Sequence, residues 1–203
     1  MPREQSPATS DAITAATVTL LESGGYEAVQ VREVARRAHV SIASIYRRYK
    51  TREDLIVAAL ELWTAANGLA PVPAAPPGES LRDGLMRIFR HVFEPWEKSP
   101  WMLEAYHKAA ASPAGARLTR QGAKAIVPAA RHLLEGRDPE YAADVESVLT
   151  NMAYAVTGRF IEGQIPVTAI LPSLERAVRR LTTDNSEART MRPDRAGHQA
   201  PPE

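Results

Sequence analysis

The sequence predicts an all-α fold in two parts, an N-terminal three-helix helix-turn-helix module and a larger C-terminal helical domain. Three observations carry this. Apolar residues recur at helical spacing along nearly the whole chain, and no segment alternates with a period of two. A proline-rich break, "GLAPVPAAPPGE" from Gly68 to Glu79, divides the chain. Ahead of that break, residues 30–52 concentrate seven Lys/Arg against one acid, Glu33, in a chain whose formal net charge is only +1.

The elements follow in order. "TSDAITAATVTLLESGG" reads as a first helix, with Thr9 or Ser10 as its N-cap and Gly24 and Gly25 ending it. Val31 to Ala38 makes a short second helix with Val31, Val34, Ala35 and Ala38 on one face. Ser41 caps a third helix, Ile42 to Tyr49, and Thr51 caps a fourth that runs through "LIVAALELWTAAN" with Glu53 and Asp54 in its first turn. Beyond the break come "SLRDGLMRIFRHVFEPWEKS" and four more helical stretches, giving roughly nine helices. Pro100, Pro113 and Pro139 fall in first helical turns, whereas Pro128 is expected to kink its helix. The domains are expected at 9–68 and 79–183, with a polar, aperiodic and disordered tail over 184–203.

Composition narrows the class. With 44% hydrophobic and 24% charged residues the chain can fill a core, and no apolar run reaches the ~20 residues of a membrane span. The start "MPREQSPATSDAI" lacks the basic-then-apolar pattern of a secretory signal, and the chain has no cysteine. Together these lead us to expect a cytoplasmic protein with no disulfide framework, thiolate metal site or cofactor. No GxSxG, P-loop, GxGxxG or HExxH motif is present, and His91, His107 and His132 are scattered. An enzyme is therefore not expected.

The basic stretch has a definite layout. At about 100° per residue, Ile42, Ile45, Tyr46 and Tyr49 share one arc of the third helix, and Ala43, Ser44, Arg47 and Arg48 share the opposite one. The second helix likewise turns Arg32, Glu33, Arg36 and Arg37 outward. Only His39 and Val40 separate the two helices, so they must cross steeply, as in a helix-turn-helix. The second helix of such a pair fits the DNA major groove. Ile42, Ala43, Ser44 and Arg47 would then face bases, Arg47 being suited to a guanine edge. Tyr46, Arg48 and Arg52 would hold phosphates, and Arg32 and Lys50 complete the expected DNA-binding set. On these residues alone the alternative is an all-α scaffold or partner-binding protein with an incidental basic helix.

"GGYEAVQVREVARRAHVSIASIYRRYKTREDL", Gly24 to Leu55, resembles the TetR family of transcriptional regulators. Within it, "GGYEAVQ" and "SIYRRY" are most similar to the KstR-like repressors of steroid catabolism in actinobacteria. The resemblance implies a homodimer on a palindromic operator and a C-terminal pocket whose small ligand weakens DNA binding. It places Tyr46 and Arg52 at phosphate-touching positions and Ile42, Ala43, Ser44 and Arg47 at base-facing ones. Four residues depart from the family pattern: Gln30 at the second helix's cap, His39 where a turn glycine is usual, Ala43 for a frequent glycine and Arg52 for a lysine. In the family the last two helices, here expected at Pro139–Gly163 and Thr168–Thr183, form a four-helix dimer interface.

For the ligand, the clustered aromatic and methionine side chains Phe89, Phe93, Trp96, Trp101, Met102 and Tyr106, with Met152 from a later helix, are the candidate pocket. Small residues at Ala105, Ala109 and Ala153 leave room for a bulky hydrophobic effector such as a steroid or acyl-CoA ester.

Overall fold

The computed structural model describes residues 7–183, which form nine α-helices and two 3₁₀ turns, with no strand among them. The N-terminal module comprises α1 (Pro7–Ala28), α2 (Val31–Arg37), α3 (Ile42–Arg48) and α4 (Arg52–Ala66). After the break come α5 (Leu81–Lys98), α6 (Pro100–Ala110), α7 (Ala116–Leu134), α8 (Pro139–Ile161) and α9 (Ile170–Thr183). The tail expected over 184–203 lies outside the described residues.

Local chemistry sets most boundaries. Ser41 accepts from the Ser44 amide, and Thr51 and Asp54 form a reciprocal capping box that starts α4. Asp138 accepts from the amides of Glu140 and Tyr141 ahead of Pro139. One expectation is corrected. Helix α1 begins at Pro7, and Thr14 donates to the Ser10 carbonyl at 2.9 Å, so Ser10 already lies inside the helix rather than capping it. Helix α7 continues through Pro128 to Leu134. Gly25 breaks α1 with φ 69° and ψ −162°, a conformation essentially reserved for glycine.

The larger apolar core is continuous across both parts of the chain. Ile13 and Leu21 of α1, Ile45 of α3 and Leu55, Ile56 and Leu60 of α4 join Met102, Leu118 and Leu174. Helix α1 lies along α4 and α6, so the N-terminal module is packed directly onto the C-terminal helices. A smaller cluster, Leu81, Leu85, Met86, Val145, Leu149 and Val178, ties α5 to α8 and α9. Burying each such side chain contributes about 1.5–3 kcal/mol relative to leaving it in water.

Candidate nucleic-acid interface

The turn between α2 and α3 is built by backbone hydrogen bonds. The Val40 amide donates to the Ala35 carbonyl (3.0 Å) and the His39 amide to the Arg36 carbonyl (3.4 Å), the pairing of a Schellman helix end. That motif requires a left-handed residue after the cap, and His39 supplies it at φ 53°, among the described residues the sole non-glycine with positive φ. Val34 and Ala35 of α2 and Ile45 of α3 are buried and anchor both helices to the core.

The rest of α3 is presented outward. Ile42 is 39% and Tyr46 49% exposed, and Ala43, Arg47 and Arg48 are exposed as well. Ser44 is half-buried, its hydroxyl 2.9 Å from that of Ser41. The arc assignment needs one correction. Of its four members, only Ile45 is fully inward; Tyr49 is half-buried, its hydroxyl 3.1 Å from Thr14 Oγ1, while Tyr46 and Ile42 belong to the exposed face.

The cations of residues 30–52 divide into two groups. Arg36 and Arg37 are spent on Glu33: Arg36 Nε and Nη2 donate at 2.9 and 2.6 Å, and Arg37 Nε at 2.7 Å. These three bonds hold the Glu33 carboxyl down at about 2. Arg52 is likewise engaged by the fold, its side chain 26% exposed. Its Nε donates to the Val29 carbonyl (2.6 Å) and its Nη2 to the Tyr26 carbonyl (2.5 Å), with the guanidinium 4.7 Å over the Tyr26 ring. Lys108 of α6 meets the same ring at 4.7 Å and bonds Glu27, holding that carboxyl below its ordinary range. Arg32, Arg47, Arg48 and Lys50 are exposed and make no ion pair with described residues. Counting charge along the chain could not foresee this division, because the partners of Arg52 lie 23 and 26 residues away.

The side chains expected to line a ligand pocket lie in and around the core. Phe93, Trp96 and Met102 are buried in the core, with the Trp96 ring centroid 4.7 Å from Trp63 and 5.4 Å from Tyr106, the rings tilted by 38° and 58°. Tyr106 donates to the Leu118 carbonyl, and burial pushes its hydroxyl pKa up. Phe89 and Met152 pack partly buried against the same core. Trp101 is half-exposed beside Gly25. A groove of about 570 Å³ does exist, but between residues 69–75, Arg87 of α5 and α7, and none of the seven expected residues lines it.

A helix-turn-helix that buries one side and offers small, aromatic and unpaired basic residues on the other defines a DNA-binding protein. Comparison with known proteins gives the family. Residues 78–181 match the tetracyclin repressor-like C-terminal domain and residues 13–59 the bacterial regulatory proteins of the tetR family. The chain belongs to the TetR family of transcriptional regulators, not to a family of enzymes. It is 32% identical over 97 residues to the HTH-type transcriptional repressor KstR of Rhodococcus jostii, a match covering 46% of this chain and 43% of that protein. To KstR of Mycolicibacterium smegmatis it is 26% identical over 173 residues, covering 82% and 83%. A TetR regulator from Rhodococcus sp. RHA1 shares the fold at a TM-score of 0.64 and 20% identity, over 90% of this chain and all of that one.

Proposed function

We propose that this regulator is a ligand-responsive repressor that binds a palindromic operator as a homodimer and is released by a small hydrophobic effector, such as a steroid or acyl-CoA ester. The observation that carries the reading is the outward face of α3, where Ile42, Ala43 and Arg47 stand clear of the core while Ile45 anchors the helix. In this reading those three side chains and Ser44 meet base edges, and Tyr46, Arg48, Arg32 and Lys50 hold the backbone. Arg52 instead fixes the start of α4 against the end of α1.

Dimerisation is supported by α8, which leaves Val148 45% and Tyr154 69% exposed on a helix otherwise anchored by Val145, Leu149 and Val156. Two copies related by a two-fold axis read two half-sites about 34–36 Å apart. The steroid or acyl-ester class follows the likeness to the KstR repressors.

A gel shift on DNA upstream of the chain's own gene tests the reading. Salt-sensitive, sequence-preferring retention is expected, lost in the Arg47→Ala, Arg48→Ala, Tyr46→Phe triple variant. Retention unaffected by those three changes would remove α3 as the reading element. A monomer by light scattering at micromolar concentration would remove the dimer.

A further inference from the structure

We infer that the outward stripe of α7 is a second, sequence-independent contact for duplex DNA, which lets the molecule hold a further DNA segment apart from the one that α3 reads. The inference goes beyond the operator reading and does not depend on it.

Helical geometry builds the stripe. Over its 19 residues α7 carries Arg117, Arg120, Lys124 and Arg131 and no Asp or Glu. At about 100° per residue these four fall within an arc of about 60°. Arg117 is paired with Glu61 at 3.3 Å, whereas Arg120, Lys124 and Arg131 are exposed and have no ion pair or side-chain hydrogen bond with described residues. The neighbouring carboxylates are already engaged, Glu61 by Arg117 and Glu135 by His132 at 3.1 Å. Outside residues 30–52 and α7 the chain holds 14 Lys/Arg against 23 Asp/Glu, so a generally basic surface does not explain the stripe.

The chemistry of the stripe selects the polymer. From Arg120 to Arg131 the helix rises about 16 Å, the axial length of about five phosphates on one strand of a duplex. Arginine matches phosphate by paired N–H donation. Single strands and RNA loops are held by stacking their bases on aromatic rings, and α7 has no Phe, Tyr or Trp. A helix lying on a bilayer sinks large apolar side chains beside its cations, but here Leu118 is turned into the core and the stripe adds only Pro128. A duplex backbone asks for neither, since its phosphates are met by cations in a row without base readout.

The stripe also stands away from α3. Next to Arg120, the Gln121 side chain donates to the Glu61 carbonyl (3.0 Å) and accepts from Thr64 (3.2 Å). Along α4 (Arg52–Ala66) those two residues lie about 14 and 18 Å from Arg52, the end that follows α3. The two basic surfaces therefore belong to opposite ends of α4, and each takes its own DNA segment.

Binding of a short labelled duplex of unrelated sequence, followed by fluorescence anisotropy against salt, tests this on the full chain. The reference protein carries Arg47→Ala, Arg48→Ala and Tyr46→Phe, so that α3 no longer contributes. It should still bind. Adding Arg120→Gln, Lys124→Gln and Arg131→Gln should weaken that binding about 10- to 100-fold and flatten log K against log salt by about 2–3 per chain. The charge-preserving set Arg120→Lys, Lys124→Arg and Arg131→Lys should leave the slope as it was. A bridging assay follows: wild-type protein retained on immobilised DNA from upstream of its own gene should capture the labelled duplex, and the chain with only the three Gln substitutions should be retained yet capture none. If the upstream DNA retains neither protein, the operator reading falls and the anisotropy series alone decides the stripe. A salt slope unchanged by the Gln substitutions overturns the inference, as does binding of single-stranded RNA or phosphatidylglycerol vesicles in place of the duplex.

Discussion

Replacing His39 by glycine should stabilise the protein, although nothing in the native contacts of the imidazole would suggest it. His39 holds φ 53° because the end of α2 demands a left-handed residue between Ala38 and Val40. A side chain with a Cβ carries about 1–2 kcal/mol of strain there. Glycine removes that strain but returns about 0.4–1 kcal/mol through the greater freedom of the unfolded chain. The net gain is about 0.5–1 kcal/mol. No loss offsets it, since the ring is exposed and makes no hydrogen bond with described residues. For a chain of 203 residues this raises Tm by roughly 1–4 °C. Urea unfolding at fixed protein concentration, with His39→Val as the opposite control, measures it. His39→Val should cost more than 1 kcal/mol, because a β-branched residue is the least tolerant of this conformation. A glycine variant no more stable than the parent would refute the assignment of strain to this turn.

Three further outcomes are expected. Gly25→Ala should cost about 1–3 kcal/mol in thermal or urea unfolding, since the backbone lies in a glycine-only region and the new Cβ would meet Trp101 Cε3 at 3.0 Å. Arg48→Ala should flatten the dependence of log K on log salt by about 0.9 per chain, whereas Arg52→Ala should leave that slope unchanged and lower stability by about 2–3 kcal/mol. The Arg52 arm of that comparison is read by thermal unfolding alongside the binding titrations. Glu33 has a folded pKa of about 2, depressed from 4.5 by Arg36 and Arg37, so its contribution is complete above about pH 4.5 and is lost as pH falls toward 2. The stability difference between the parent and Glu33→Gln should therefore be flat from pH 7 to 5 and shrink below that window.

What the sequence reveals and what it hides follows from the range of the interactions involved. The caps at Ser41 and Thr51, the steep turn after α2 and the break before α5 depend on residues within four positions of one another, and each is legible from spacing alone. The strain at His39 is legible through the family resemblance, which puts a glycine at that turn. By contrast, Phe93, Trp96 and Met102 meet the pattern of a cavity lining and of a core equally well, because helical periodicity reports that a face is covered and not what covers it. The tilted ring contacts of Trp96 with Trp63 and Tyr106, brought together from α4 and α6, come from residues 33 and 10 positions away.

Charge follows the same logic in both directions. Residues 30–52 read as +6 in sequence, yet Glu33 takes up two arginines and the carbonyls of Tyr26 and Val29 take up a third, leaving Arg32, Arg47, Arg48 and Lys50 presented to solvent. A local charge sum thus overstates what a phosphate backbone can meet. On α7 the sum understates it. Its four cations are diluted over 19 residues and attract no notice as a run, but helical geometry gathers them on one side, and three of them have no ion pair with described residues. The quantity that decides recognition is the number of cations left without an internal partner on one face. By that measure the described residues present two basic surfaces, one on α2 and α3 and one on α7, and Gln121 ties α7 to α4.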